Sequence, residues 1–157
     1  WPLWFVRHDF GVSTYSTYGC KVVYDNFVFV DEPDNELQSS SEAIGAKYPN
    51  NMSADYSSVA NFPPPAIVTW SSRDGTPHRA EIDIGDIFKD RLIRHRVARE
   101  DIPETASITD PGIILEVNDR TINVYMRATI WTKDEQIPGN KYSHSREDLI
   151  KVFSRTY

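Results

Sequence analysis

Four histidines, one cysteine and a concentration of carboxylates are the side chains on which chemistry in this chain would rest. His8 precedes Asp9, His78 lies close to Glu81 and Asp83, His95 sits in a basic run, and His144 falls near the end. An acid–base pair or a metal site needs two such groups on one face. Strand alternation puts His78 with Ala80 and Ile82, and both carboxylates on the opposite face. His95, among arginines, reads as a surface residue. The sequence has no Gly-x-Ser-x-Gly elbow, glycine-rich phosphate loop, His-Glu-x-x-His helix or paired Cys-x-x-Cys. It is therefore expected to hold no catalytic residue, no metal and no cofactor. A hydrolase built on His8 or His78 and a neighbouring carboxylate ranks last, kept because carboxylate pairs leave little trace in sequence.

Composition narrows the classes further. A chain of 157 residues suits one domain, residues 1–157, and 39% hydrophobic with 25% charged residues is the balance of a soluble globular protein. The 17 Lys and Arg stand against 23 Asp and Glu, a net charge of −6, which argues against general nucleic-acid binding. No apolar run approaches the ~20 residues of a membrane span. A single cysteine excludes an internal disulfide framework and a multi-cysteine metal site. Gly19-Cys20 has the small-residue-then-Cys order of a lipobox, but strand-like residues surround it, and it reads as a partly buried thiol. The opening Trp1-Pro2-Leu3-Trp4 lacks an initiator Met, as expected of a processed or trimmed chain.

Charge is segregated along the chain. From Asp31 to Pro64 lies a long acidic and polar loop. Asp31, Glu32, Asp34, Glu36 and Glu42 open it without a cation between them, a short helical turn is expected around Ser41–Lys47, and Pro63-Pro64-Pro65 closes it. Loops beyond ~12–15 residues are uncommon in compact domains. This one is expected to be either a solvated insertion or a partner-binding segment. Lys89, Arg91, Arg94, Arg96 and Arg99 form the opposite feature, read as a solvated basic face, with anionic lipid headgroups or an acidic protein as the other possible contacts.

Mostly strands must position these groups. Lys21–Val30 is rich in β-branched and aromatic residues. Ala66–Trp70 and His78–Ile84 flank Asp74-Gly75, a hairpin signal. Gly112–Val117 and Thr121–Lys133 form a second hairpin. In its last strand Ile122, Val124, Met126, Ala128 and Ile130 share one face, and Asn123, Tyr125, Arg127, Thr129 and Trp131 the other. Two short helices are expected, one over Asp86–Val97 and one opening at Ser145-x-x-Asp148, which matches a capping box. The fold class is mainly β (α+β), a two-layer antiparallel sandwich or half-barrel.

On Phe10-Gly11-Val12, on Pro65–Gly75 leading into the Arg79–Ile84 strand and the Asp86–Val97 helix, and on Val124 and Trp131 of the late hairpin, the chain resembles a family of small bacterial envelope lipoproteins. Several of these are immunity proteins against type VI secretion lipase effectors. The likeness spans about half the chain. It implies a periplasmic protein, anchored in full-length form through a lipid-bearing cysteine that is not present near this start. Its partner would be a secreted phospholipase or lipase toxin whose active-site entrance or lid it occludes. Such a protein needs no catalysis but a rigid scaffold with aromatic anchors and a charged rim. Asp31, Glu32, Asp34 and Glu36 are the first candidate partner-binding residues, and the outward aromatics Tyr125 and Trp131 with Asp134 and Glu135 the second. The alternative is a ligand-binding β module for lipid or carbohydrate, which would need a concave aromatic pocket.

Overall fold

The computed structural model describes residues 3–157. Nine strands form two sheets that pack as a sandwich. In the five-stranded sheet the order is β4 (Tyr56–Ala60), β1 (Arg7–Tyr15), β7 (Gly112–Asn118), β8 (Thr121–Trp131) and β9 (Ser145–Thr156). The four-stranded sheet runs β3 (Phe27–Asp31), β2 (Thr17–Tyr24), β5 (Ala66–Ser72) and β6 (Pro77–Ile82). Pairing is antiparallel as expected, except that β1 and β7 run parallel, Asp9 opposite Gly112 through Tyr15 opposite Asn118. A parallel pair needs a long crossover, and here the whole second sheet lies between the two strands in sequence.

One corner joins the layers. Ser16, with φ of 54°, turns the chain out of β1 and into β2 within a single residue. Its N–H donates to Ser39 O at 3.1 Å, and Asp119 N–H donates to the neighbouring Tyr15 O at 2.8 Å. The inner residues of the two strands then face one another, with Phe10 and Tyr24 ring centres 4.3 Å apart. The alternation of β8 is realised fully. Ile122, Val124, Met126, Ala128 and Ile130 are all buried in the core. Both expected hairpins form, with Gly75 at φ 83° in the first turn.

Neither expected helix forms over its predicted span. Only Ile84–Ile87 is helical (α1), capped by Asp83, whose carboxylate accepts from Asp86 N–H at 3.1 Å. Arg91 adopts φ 58° and ends any continuation. Ile93 N–H then donates to Leu3 O, and Phe5 N–H to Arg91 O, so the segment is laddered to the first described residues instead. The second helix is a strand. From Ser145 to Thr156 every stretch of β9 pairs with β8, and Asp148 takes Arg146 as its partner rather than capping anything. The β-branched and aromatic content of Ile150, Val152 and Phe153 favours this, and a helix would have left the edge of β8 uncovered.

The 31–64 stretch is not a free loop. Residues 32–39 lie along β2, with Glu32 N–H donating to Cys20 O, Gly19 N–H to Pro33 O and Gln38 N–H to Thr17 O. The expected turn appears as a 3-10 helix, Ser41–Lys47, and the stretch also contributes the edge strand β4. Met52 packs with Tyr15, Ile114 and Tyr125 in a second small core on the outer face of the five-stranded sheet. The approach there is close enough to need a glycine. A Cβ on Gly11 would fall 2.1 Å from Ser53 O and 2.8 Å from Ala54 Cα. Gly11→Ala should therefore cost about 1–3 kcal/mol, read as a lower urea midpoint at unchanged slope.

Candidate functional site

The two predicted acidic sets lie at opposite ends of the sandwich. Residues 33–39 hang from the Ser16 corner, the end that also carries the β7–β8 turn. Trp131 ends β8 at the other end, roughly 33 Å away at ~3.3 Å per residue, and Asp134 and Glu135 follow it. Asp31, Asp34 and Glu36 are exposed. Glu32 is not available as a surface carboxylate. The hydroxyls of Thr14 and Thr17 donate to it, and Cys20 N–H lies 3.3 Å from it. The Cys20 thiol, fully buried, is pushed up to about 12 by desolvation and then by Glu32. Tyr125 corrects another expectation. It sits on the outer face of β8 but is only 4% exposed, because the 41–54 segment covers it.

Trp131 stands free of that cover, 42% exposed. The loop that follows it, residues 132–144, is held by its own hydrogen bonds. Thr132 N–H donates to His144 O at 2.9 Å and Gln136 N–H to Ser143 O at 2.8 Å. The Ser143 hydroxyl donates to Asn140 O at 2.7 Å and accepts from Ile137 N–H at 3.0 Å. Gly139, at φ 83°, makes the tip, and Lys133 N–H donating to Asp101 O ties the base to a neighbouring segment. From this frame project Ile137, 59% exposed, and Tyr142, 84% exposed, beside Asp134, Glu135, Lys133 and Lys141. A shallow hollow of about 500 Å³, lined by Arg99, Glu100, Ile102, Glu104 and Lys133, opens alongside. Sequence reasoning picked out Trp131, Asp134 and Glu135 but missed Ile137 and Tyr142. The available signal was Pro138-Gly139, a turn dipeptide, with Ile137 directly before it and Tyr142 three residues after it in an otherwise polar stretch.

The titratable groups of the interior are engaged with one another. His8 is fully buried. Asn61 Nδ2 donates to Phe5 O, which leaves Asn61 Oδ1 to accept from His8 Nδ1 at 2.6 Å. His8 Nε2 must then accept from the Tyr24 hydroxyl at 2.9 Å. Desolvation lowers the His8 pKa, so the imidazole is held neutral. At the β5–β6 turn the Ser72 hydroxyl donates to Asp74 at 2.5 Å and lies 2.9 Å from His78 Nε2. The hydroxyl stands in the middle, so its proton points to Asp74 and His78 Nε2 is the donor. An imidazole relay would need the opposite order. Among the described residues no three His, Cys, Asp or Glu side chains are placed to hold a metal ion.

Glu116 is the largest concentration of polar contacts. It is fully buried on β7. Asn123 Nδ2 donates to it at 2.9 Å, the Tyr125 hydroxyl at 2.8 Å, Asn118 Nδ2 at 3.4 Å, and the Tyr48 hydroxyl completes the set. Desolvation and then the Glu116 carboxylate push the Tyr48 phenol up to about 12. Arg127 adds a second clamp. Its guanidinium donates to Met52 O at 2.6 Å and Asn50 O at 2.9 Å while pairing Glu147 at 3.1 Å.

Two outcomes follow. Glu116→Ala strands two phenols and an amide; it should cost about 3 kcal/mol and open the backbone after Lys47 to trypsin. Because the folded-state His8 pKa lies below its unfolded value, its contribution is present above pH 6.5 and is lost as pH falls beneath it. Unfolding free energy should decline as pH falls below about 6.5, by at most ~1.4 kcal/mol per unit for that proton, and His8→Gln should flatten the decline. Compared with known families, curated proteins and solved structures, the chain matches no family model, no curated protein and no solved structure.

Proposed function

We propose that this chain is a non-catalytic binding protein that neutralises a secreted toxin, docking through the β8–β9 loop and its base. The observation that carries the reading is the concentration of Trp131, Ile137 and Tyr142 on one hydrogen-bonded loop with a rim of both charges. Large apolar side chains on a frame that is already ordered lose little entropy on binding. Their burial with an exclusion rim is how interface hot spots work. The resemblance to periplasmic immunity lipoproteins supplies the class of partner, a type VI phospholipase or lipase effector, and the periplasm as the place of encounter. Occlusion of the lipase entrance by the Ile137–Tyr142 tip would block it without chemistry. Asp31, Asp34 and Glu36, at the far end, would steer the approach rather than touch.

A second reading, a ligand-binding module, has one feature in its favour. Between β3 and β4 lies an open groove of about 370 Å³ where Phe27, Phe29 and Tyr56 meet at 4.9–5.0 Å, rimmed by Asn51, Ser53 and Asp55. Aromatic faces beside amide and carboxylate groups suit a sugar ring.

The test is inhibition of the cognate lipase's hydrolysis of phospholipid by the purified chain. Tyr142→Ala with Ile137→Ser should weaken inhibition by more than thirtyfold, and Trp131→Ala by about tenfold, corresponding to roughly 2 and 1.4 kcal/mol. Reversing Asp31, Asp34 and Glu36 to Lys should lower only the association rate and its salt dependence. Inhibition unchanged by the loop variants would overturn this surface. Chemical-shift changes confined to Phe27 and Tyr56 on adding a hexose would promote the second reading.

A further inference from the structure

The basic run and the first described residues form one surface that the proposed toxin-binding loop does not use. Trp4 and Leu92 are antiparallel bridge partners, so their side chains share a side. Phe5 N–H donates to Arg91 O at 3.0 Å and Ile93 N–H to Leu3 O at 2.8 Å, which fixes this small ladder. Its inner side, Leu3, Phe5 and Ile93, is buried in the main core, and Phe5 meets Phe88 and Phe62 edge to face at 5.9 and 5.8 Å. The outer side is left with Trp4, 63% exposed, and Val6, 72% exposed. These are among the most exposed large apolar side chains of the described residues, and the backbone on either side of them is hydrogen-bonded.

The charge around them is one-sided. Residues 89–99 hold five cations against the single carboxylate of Asp90, in a chain whose net charge is −6. Arg94 folds back on that carboxylate at 3.0 Å and over the Phe88 ring, so Asp90 does not neutralise its neighbours. Lys89 and Arg91 are exposed, and Arg91 leaves the ladder at positive φ, directly beside Phe5. Arg7 adds a further cation two residues after Phe5, its guanidinium resting on neutral Ser58 groups. Asp83 and Asp86 of the α1 turn lie on the same connection. Asp83 caps that turn, and Asp86 is exposed.

From this placement we infer that the Trp4–Val6 edge with Lys89 and Arg91 docks on an anionic lipid bilayer. An exposed indole on fixed backbone is suited to the headgroup level, where its ring is half apolar and half wet. Each nearby cation gains from the negative surface potential of anionic lipid, a gain a protein of overall negative charge can have only through a local patch. A protein partner would equally accept the apolar pair. Of the five cations Arg94 pairs Asp90 and Arg96 lies 4.0 Å from Asp148, and the remaining Lys89, Arg91 and Arg99 suit a diffuse field of phosphates better than a shaped acidic surface.

Co-sedimentation of the full chain with vesicles tests this directly. Binding is expected to phosphatidylcholine vesicles containing a third phosphatidylglycerol, and not to phosphatidylcholine alone. It should be released at high salt, which shortens the screening length. Lys89→Gln and Arg91→Gln should each lower the partition coefficient by roughly fivefold, and Trp4→Ser by about tenfold. All three side chains are exposed, so an unchanged urea midpoint is expected; if Trp4→Ser shifts it, the two charge variants decide alone. No binding to anionic vesicles, equal binding to both compositions, or binding indifferent to the charge variants would overturn the proposal. Loss of lipase inhibition by these same variants, with vesicles unbound, would make this edge a protein interface and would overturn it too.

Discussion

The carboxylate of Glu116 sets the terms for the rest of the structure. A carboxyl group out of reach of water is tolerated only when its oxygens are hydrogen-bonded. Three donors come from β7 and β8 themselves, through Asn118, Asn123 and Tyr125, but the fourth, Tyr48, arrives from the segment that follows the 3-10 turn. The outer face of the five-stranded sheet is therefore closed only when residues 41–54 lie on it. Arg127 enforces the same arrangement through the carbonyls of Asn50 and Met52. Folding of the sheet and ordering of the apparent loop are thus one event, and the sandwich has a third, partial layer.

That layer also decides which part of β8 is free. Its outer residues run Asn123, Tyr125, Arg127, Thr129 and Trp131, alternately facing the same way. The first three lie beneath or against the 41–54 segment. Cover ends before Trp131, which is why two aromatics of identical parity have opposite fates, one 4% and one 42% exposed. Parity was legible in the sequence. What covers each face was not, since it depends on a contact between residues 68 positions apart.

The same distinction separates what could be read from what could not. Strands with strong alternation, β8 above all, and the Asp74-Gly75 hairpin are local signals, and they stand as expected. The two helices failed for a common reason. Ser145-x-x-Asp148 and the charged run after Asp86 satisfy local helix rules, but the open edge of β8 and the backbone of Leu3 and Phe5 offered longer-range partners. Tertiary pairing outweighs propensity when a strand would otherwise lack a neighbour. Glu32 illustrates the limit for sites. Its position in an acidic run marked it as a surface charge, yet two threonine hydroxyls and a backbone amide claim it.

The polar side chains that could do chemistry are engaged with groups of this same chain. His8, Ser72, Glu32 and Glu116 each hydrogen-bond to other groups of the chain. The large exposed side chains at one end are apolar. Because β1 and β7 are parallel and β8 returns antiparallel, residues before Asp9 and residues after Arg127 emerge at the same end. Trp4, Val6, Trp131, Ile137 and Tyr142 therefore share that end, while the exposed carboxylates of residues 34 and 36 hang near the Ser16 corner at the other.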